Sequence, residues 1–351
     1  MTETMRAAFL EGHEGIGSLT VGPRPKPEPG YGEVLIRIAA AGLNRVDLYM
    51  ANDGSGFRHQ LPLTLGVDGA GVIEALGPGC TARSVGERVI IYPARYGLDE
   101  FTRRGDQMLS FSRAIPGENI DGCFADYIAM PEACAFPIAD DLGFLEAAVL
   151  PTAYLTAWRA VTTAGQVRSA DWVLIHGVGG GGSTAALQFC AMRQARTIVT
   201  SSSDAKLAAA RERGATHTIN YREQDVLAEV RRITAKRGVD VVIENVEADT
   251  WGISLRALVG GGRLVVFGAT TGPNPPADLQ RVFIRQLHII GVTIGNFEEF
   301  RTLVDAAERK LFVPAIDRVV SLEQVPDGLA YLESGQQTGK IAVAVDPALC
   351  G

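Results

Sequence analysis

A glycine-rich segment between a predicted strand and a predicted helix is the part of this sequence best suited to chemistry. The apolar run Trp172–Ile175 leads into a loop with G-x-G-x-x-G spacing, and a helix is predicted over Ser183–Arg193. Four of its glycines are the candidates for cofactor contact, namely Gly177, Gly179, Gly180 and Gly182. In this order of elements, the glycines allow a tight turn, close approach of a pyrophosphate and packing of helix on strand. The N-terminus of the helix adds free N–H groups for an anion. The segment therefore predicts dinucleotide binding, and the simpler alternative is a flexible surface loop.

Small hydroxyl residues stand where an NAD-type site would carry a carboxylate. That carboxylate is expected about 20 residues after the glycine loop, and Ser201 and Ser202 lie there instead. A hydroxyl does not repel a 2′-phosphate, and Lys206 in the next helix turn can pair with it. The pattern favours NADPH over NADH, and the alternative interpretation is an N-cap cluster for the following helix.

Two regions of different character must position these residues. Up to about residue 150, short apolar runs such as Val34–Ala39 are punctuated by glycine and proline, and Gly22–Gly32 has the composition of a long loop. This pattern predicts an irregular, mostly-β domain. A helical tract over Pro151–Thr163 follows, and from Asp171 strands and helices alternate, which predicts a parallel sheet with helices on both faces. The predicted strands of this second region are Trp172–Ile175, Thr197–Thr200, Val239–Ile243, Arg263–Phe267 and His288–Val292, and its helices include Ser183–Arg193, Asp204–Arg213 and Val226–Lys236.

Length and composition exclude several classes of protein. A chain of 351 residues is long enough for two domains. Its net charge of −7 argues against a general nucleic-acid binder, which needs a concentrated basic surface. No apolar run reaches the length of a membrane span, and Met1–Leu10 lacks a signal-peptide pattern, so we expect a cytoplasmic protein without a membrane partner. The five cysteines are scattered, which excludes a cysteine-rich zinc site and gives no sign of a disulfide framework.

Seven segments spread over nearly the whole chain form a joint pattern. They are Ala40–Tyr49, Leu65–Val72, the glycine loop, Ile219–Tyr221, Leu255–Gly268, Arg285–Leu287 and Gly339–Lys340. Together they resemble the medium-chain dehydrogenase/reductase superfamily, specifically its zinc-independent quinone oxidoreductase-like branch. The resemblance implies an α/β protein with a GroES-like, mostly-β catalytic domain over residues 1–150 and 315–351, and a Rossmann NADP-binding domain with a doubly wound parallel sheet over residues 151–314. It also implies an active site in the cleft between the domains and a homodimer formed edge to edge near His288–Thr293.

The residues that bind zinc in alcohol dehydrogenases of this superfamily are replaced here. Asn44 stands at the position of the catalytic cysteine, and Val67 and Asp68 replace the histidine and glutamate of a G-H-E triplet. Because asparagine and valine cannot replace a thiolate and an imidazole as strong zinc ligands, we expect no catalytic zinc.

A second zinc site of the superfamily is also expected to be lost. The lobe that carries it has a counterpart here between Val89 and Gly122. Its four cysteine positions hold Tyr96, Asp99, Thr102 and Ser110. We therefore expect a metal-free lobe that is either held by packing or mobile.

The resemblance also assigns roles to individual residues. The amide of Asn44 would hold the substrate oxygen, or only orient its loop. Tyr49 would bind substrate or donate a proton, or be a core aromatic residue, and Asp47 would brace the loop. The implied cofactor contacts, besides the four loop glycines, Ser201, Ser202 and Lys206, are Thr156, Tyr221, Gly268, Ala269, Thr293, Gly295 and Lys340.

A site without a metal favours particular substrates. It lacks the Lewis acid that polarises a simple carbonyl, whereas a quinone or an enone spreads the charge onto an oxygen that needs only hydrogen-bond donors. The predicted function is NADPH-dependent reduction of a small quinone or α,β-unsaturated carbonyl. Two alternatives stay open, namely a biosynthetic enoyl reductase with one dedicated substrate and a non-catalytic NADPH-binding protein.

Overall fold

The computed structural model of the protein describes residues 3–56 and 58–350. They form two compact units, the first made of residues 1–153 and 296–351 and the second of residues 154–295. The first boundary lies near the predicted residue 150. The second lies 19 residues before the predicted start of the C-terminal segment at 315, because the helix after Gly295 belongs to the first unit. In that unit Phe297 packs edge-on against Tyr92, with ring centroids 4.5 Å apart.

The N-terminal part of the first unit contains eight strands and three α-helices among its described residues. The strands are β1 Thr4–Leu10, β2 Leu19–Pro25, β3 Glu33–Gly42, β4 Leu63–Thr64, β5 Asp68–Leu76, β6 Arg88–Ile91, β7 Tyr127–Pro131 and β8 Ala135–Pro137. The helices are α1 Arg45–Asp53, α2 Glu100–Arg103 and α3 Phe144–Ala148. This segment is therefore mostly β, as its composition predicts.

The second unit alternates helices and strands. Its helices are α4 Leu155–Arg159, α5 Gly181–Met192, α6 Asp204–Glu212, α7 Val226–Ile233, α8 Trp251–Ala257 and α9 Leu279–Ile284. Its strands are β9 Trp172–Ile175, β10 Arg196–Ser201, β11 His217–Asn220, β12 Val239–Glu244, β13 Leu258–Val266 and β14 His288–Gly291. The first unit then resumes with α10 Phe297–Glu308, β15 Ile316–Ser321, α11 Val325–Glu333, β16 Lys340–Ala344 and α12 Pro347–Cys350.

The six strands of the second unit form one parallel sheet in the order β11-β10-β9-β12-β13-β14. This is the doubly wound order, and it reverses direction between β9 and β12. Ligands of such sheets bind beyond the carboxyl ends of the strands at this point of reversal. Leu174 of β9 and Val242 of β12 pack in one buried cluster with Val230 of α7 and Leu255 of α8, so apolar burial fixes the sheet beneath that edge.

The large sheet of the first unit brings three distant parts of the chain together. Its order is β15-β16-β3-β5-β6-β8, and β7 also pairs with β3. Central strand β3 pairs antiparallel with both β5 and β16, with Gly42 opposite Asp68 and Ala342 opposite Gly42. The start of α1, the start of β5 and the start of β16 therefore meet at the end of β3.

Strands β2 and β11 show where the composition misleads. Strand β2 covers part of the Gly22–Gly32 segment that predicts a loop, so that prediction was wrong for residues 22–25. Proline is tolerated there because β2 is an edge strand that, within the described part of the chain, pairs only with β1. Strand β11 was not predicted, since His217–Asn220 is a short edge strand with few apolar residues.

The predicted helical tract Pro151–Thr163 is divided into three pieces. Helix α4 is flanked by the π-helical segments Leu150–Tyr154 and Ala160–Ala164. Among the described residues, no helix is long and apolar enough to cross a membrane.

Candidate functional site

The glycine loop connects β9 to α5 at the reversal point of the parallel sheet. Gly177 and Gly179 have φ angles of 63° and 115°, in the left-handed region that favours glycine. A Cβ atom on Gly179 would lie 2.5 Å from Cδ of Lys206, and one on Gly182 would lie 3.0 Å from the ring of Phe267. Gly180 is the N-cap of α5, which no side chain caps. The loop therefore has the space and the helix N-terminus that a pyrophosphate requires.

The residues predicted to select the 2′-phosphate lie beside this loop. Ser201 ends β10 and is buried, and its carbonyl accepts a hydrogen bond from the Tyr221 amide at 3.1 Å. The side chain of Lys206 lies against Gly179 and leaves no room for a Cβ atom there. The structure thus brings Gly179, Ser201, Lys206 and Tyr221 together.

The remaining predicted cofactor residues of the second unit are distributed over three elements. Gly268 and Ala269 follow β13, and Thr293 and Gly295 follow β14, so both pairs lie beyond the carboxyl ends of neighbouring parallel strands. Thr156 is buried in α4. Ser202 lies between β10 and α6 and is half-buried.

The catalytic candidates of the first unit lie on α1 and at its N-terminus. Asn44 is the N-cap, and its backbone amide donates to Oδ2 of Asp47 at 2.7 Å. Asp47 is fully buried and its Oδ1 has no hydrogen-bond partner. Burial raises the pKa of Asp47 to about 7, although the Asn44 amide and the charge of Lys340 oppose the rise. Tyr49 is 38% exposed, so this ring is not a core aromatic residue.

The buried ammonium group of Lys340 binds the residues at the N-terminus of α1. Nζ of Lys340 donates to Oδ1 of Asn44 at 2.6 Å, to the Leu43 carbonyl at 2.7 Å and to Oδ2 of Asp68 at 3.0 Å. Lys340 and Asp68 are 4% and 0% exposed. The hydroxyl of Thr152 donates to the other oxygen of Asp68 at 2.5 Å. All three protons of the ammonium are therefore engaged.

These contacts fix the orientation of the Asn44 amide. Its oxygen faces the ammonium, which can only donate, so its nitrogen must face the acceptors. Nδ2 donates to Asp68 at 2.8 Å and to the Gly42 carbonyl at 3.3 Å. Both N–H groups of Asn44 are used within the protein, which favours the orienting role over direct binding of a substrate oxygen.

Sequence reasoning missed this network. It placed Lys340 among the cofactor contacts, a role that stays a prediction, and it assigned no role to Thr152. Residues 44 and 340 lie far apart in sequence, and only the pairing of β16 with β3 brings them together. The side chains at the catalytic zinc positions do not fit the metal, because Asn44 and Asp68 already bind an ammonium cation and Val67 has no donor atom.

One carboxylate, that of Asp99, connects several residues of the lobe between Val89 and Gly122. Asp99 accepts hydrogen bonds from the amides of Phe101, Thr102 and Phe111 at 2.9–3.0 Å and from the Ser110 hydroxyl at 2.7 Å. The Ser110 hydroxyl and then the Thr102 amide lower the pKa of Asp99 to about 2. Asp99 therefore contacts two of the other three residues that align with the zinc ligands of the lobe, Thr102 and Ser110. Hydrogen bonds thus connect these positions, besides the packing that was one of the two expectations.

The fourth former ligand position of the lobe packs against α10. The ring of Tyr96 lies edge-on to Phe297, with centroids 5.2 Å apart, and Gln107 of the lobe accepts a hydrogen bond from the Phe297 amide at 3.2 Å. Burial raises the pKa of the Tyr96 hydroxyl. Mobility of the lobe stays a prediction.

Comparisons with known proteins identify the family to which the two units belong. Residues 30–140 match the alcohol dehydrogenase GroES-like domain, and residues 181–309 match the family described as zinc-binding dehydrogenase. A zinc-type alcohol dehydrogenase-like protein of Schizosaccharomyces pombe is 33% identical over 90% of this chain and 91% of its own length.

Two solved structures illustrate the range of relatives. The crystal structure of an NAD-dependent alcohol dehydrogenase is 34% identical, with a TM-score of 0.92 over 97% of this chain and 100% of that one. The 2-octenoyl-CoA carboxylase reductase CinF, solved with NADP and 2-octenoyl-CoA, is 26% identical, with a TM-score of 0.90 over 99% of this chain and 92% of that one. The chain belongs to the medium-chain dehydrogenase/reductase superfamily of oxidoreductases, and the predicted combination of a GroES-like and a Rossmann-like fold is confirmed.

Proposed function

We propose that this protein is an NADPH-dependent reductase that transfers hydride to a quinone or an α,β-unsaturated carbonyl without a metal. The observation that carries the proposal is the ammonium of Lys340, which lies 2.6 Å from Asn44 and 3.0 Å from Asp68, the residues at two of the catalytic zinc positions. A resident cation at hydrogen-bond distance opposes binding of a second cation there.

The second unit supports the cofactor half of the proposal. Bound at the glycine loop, NADPH would supply the hydride. Gly177, Gly179, Gly180 and Gly182 would hold its pyrophosphate, and Ser201, Ser202, Lys206 and Tyr221 would surround the 2′-phosphate. A hydroxyl at residue 201 in place of a carboxylate supports NADPH over NADH.

The first unit supports the substrate half. When a conjugated acceptor receives hydride at its β-carbon, the negative charge moves to the carbonyl oxygen, which must be stabilised until a proton is added at the α-carbon, or at the oxygen in the case of a quinone. Tyr49 is our candidate for that proton, because its side chain is partly exposed whereas Asn44 and Asp47 are buried. Asn44, locked by Lys340 and Asp68, would position α1 and thereby Tyr49. The structure of CinF with NADP and an enoyl thioester supports the same class of acceptor.

Two further assignments belong to the proposal. We expect a homodimer, because β14 is an edge strand with Ile289 43% exposed, and neighbouring α9 exposes Leu279, Phe283 and Ile284. Such an apolar sheet edge is suited to pairing with a second copy. A cytoplasmic location stays the expectation from the sequence.

A panel assay tests the proposal. We expect NADPH oxidation with quinones, aliphatic enones or enoyl thioesters that is unchanged by a chelator, and weaker oxidation of NADH. Turnover confined to one enoyl thioester would identify a dedicated biosynthetic reductase. Tight NADPH binding without any turnover would identify a non-catalytic binding protein, and strong zinc-dependent oxidation of saturated alcohols would overturn the proposal.

A further inference from the structure

Four buried polar side chains behind the glycine loop have no part in the proposed hydride transfer. His176, Thr200, Glu244 and Ser254 come from the loop after β9, from β10, from β12 and from α8, and each is at most 2% exposed. Buried polar groups are costly unless every one of them is satisfied. Their hydrogen bonds connect into one chain.

The direction of this chain follows from the carboxylate at its end. Oε1 of Glu244 accepts from the amides of Val246 and Glu247 at 3.0 and 3.2 Å and from the Thr250 hydroxyl at 2.8 Å. Oε2 lies 2.5 Å from the Ser254 hydroxyl. Both oxygens of Glu244 thus accept hydrogen bonds, and Ser254 donates its single hydroxyl proton to Oε2.

The protonation of His176 is then determined. Ser254 has already donated, so at 3.1 Å its oxygen accepts from Nε2–H of His176. Burial lowers the pKa of His176, against the opposing charge of Glu244, so the ring is neutral and Nδ1 is an acceptor. The Thr200 hydroxyl, 3.3 Å away, donates to Nδ1 and accepts from the Gly177 amide at 3.3 Å.

The chain therefore runs from the first glycine of the loop to a buried carboxylate. Gly177 N–H donates to Thr200, Thr200 to His176, His176 to Ser254 and Ser254 to Glu244. A different conformation of Gly177 would remove the first link of this chain, the donation from the Gly177 amide to the Thr200 hydroxyl.

Two further contacts connect the glycine loop and the start of α5 to the ends of β10 and β12. The Val178 amide donates to the Thr200 carbonyl at 2.9 Å. Nδ2 of Asn245, the residue after Glu244, donates to Oγ of Ser183 in the first turn of α5 at 3.0 Å. Residues at the ends of β10 and β12 thus fix both ends of the glycine loop.

We propose that Thr200, His176, Ser254 and Glu244 are positioning residues that hold the glycine loop in the conformation that binds a nicotinamide dinucleotide. This inference rests on the proposed function, because it requires that the loop binds the pyrophosphate of NADPH or NADH. The four residues do not contact the reacting atoms, and they act through the backbone of Gly177.

Paired substitutions in the full-length protein separate this role from general stability. Thr200→Val keeps the shape of the side chain and removes the hydroxyl, whereas Thr200→Ser keeps the hydroxyl. Ser254→Ala and Ser254→Thr form a second pair of the same design. We expect the Kd for NADPH, measured by fluorescence titration, to rise about tenfold in Thr200→Val and Ser254→Ala and to stay within about twofold in the two hydroxyl-keeping variants. The KM for NADPH should rise by a larger factor than that by which kcat falls.

Nitrogen-15 NMR of the wild-type His176 ring tests the chain without any substitution. We expect the neutral tautomer with the proton on Nε2, and a proton on Nδ1 would overturn the inference even if a variant failed to fold. Unchanged NADPH affinity in folded Thr200→Val would overturn the positioning role alone. A wild-type protein that binds neither NADPH nor NADH would overturn the proposed function and this inference together.

Discussion

Lys340 shows how one side chain changes the chemistry available to a site. Its ammonium lies in the first unit, within hydrogen-bond distance of residues that stand at two zinc positions, and it is satisfied by three acceptors. The sequence predicts the loss of the catalytic zinc, because Asn44 and Val67 cannot replace a thiolate and an imidazole as strong zinc ligands. It does not identify the replacement, which depends on strand pairing across almost the whole chain.

Removal of the Lys340 charge should lower the free energy of unfolding. Lys340→Met leaves Asp68 buried without its counter-charge, so we expect urea denaturation to show a loss of about 3–5 kcal/mol in the free energy of unfolding. The double variant Lys340→Met/Asp68→Asn should recover part of that loss, because neither side chain is then charged.

An exposed ion pair provides the control for this experiment. Arg301 and Glu298 form a contact of 2.7 Å with side chains 66% and 71% exposed. Arg301→Met should therefore cost less than about 1 kcal/mol. Equal losses in Lys340→Met and Arg301→Met would contradict the buried network.

At the scale of the element, the sequence predicts the parallel sheet better than the mostly-β unit. Strand β9 has the predicted bounds Trp172–Ile175, because a continuous apolar run is typical of a buried parallel strand. Helix α5 begins at Gly181, two residues before the predicted start, because Gly180 serves as its N-cap. The sequence locates the lobe around Asp99 through the residues that align with zinc-binding cysteines of the superfamily. It does not predict that four donors converge on one carboxylate, because that convergence depends on backbone geometry.

The lobe offers a test of that carboxylate. Asp99→Asn replaces one acceptor oxygen by a donor, so Phe111 and Ser110 lose their partner. We expect amide hydrogen exchange of Phe101, Thr102 and Phe111 to accelerate about tenfold, with little change in Tm. Glu100→Gln, on the exposed neighbouring residue, should leave exchange in the lobe unchanged.

The stabilisation of the lobe by the Asp99 carboxylate should weaken at low pH. The pKa of Asp99 is about 2 in the folded lobe and about 3.9 in an unfolded chain. The carboxylate therefore stabilises the lobe fully above about pH 5 and loses its effect as the pH falls through 2. The difference in exchange between wild type and Asp99→Asn should shrink over that range, and a constant difference would contradict the assignment.

At the scale of the whole molecule, the second unit presents an unpaired sheet edge. Among the described strands, β14 pairs only with β13, and α9 nearby exposes Phe283 to 69%. Pairing of two such edges would extend the parallel sheet across a homodimer, which the resemblance implies and which stays a proposal.

Disruption of this edge should produce monomers. We expect light scattering after size exclusion to give a dimer for the wild type and a monomer for Phe283→Asp/Ile289→Lys, with unchanged circular dichroism. Leu98→Asp introduces a charge at a still more exposed apolar residue of the first unit and should leave the dimer intact. A monomeric wild type, or a dimeric double variant, would exclude this interface.

Deuterium transfer tests metal-free conjugate reduction most directly. The wild-type protein, stripped of metal and checked by elemental analysis, is incubated with NADPH deuterated at the transferred position of the nicotinamide and a simple aliphatic enone. We predict a saturated ketone with one deuterium at the β-carbon, formed at the same rate with and without added zinc. Deuterium at the carbonyl carbon of an allylic alcohol, or transfer only after zinc is restored, would contradict the proposed function.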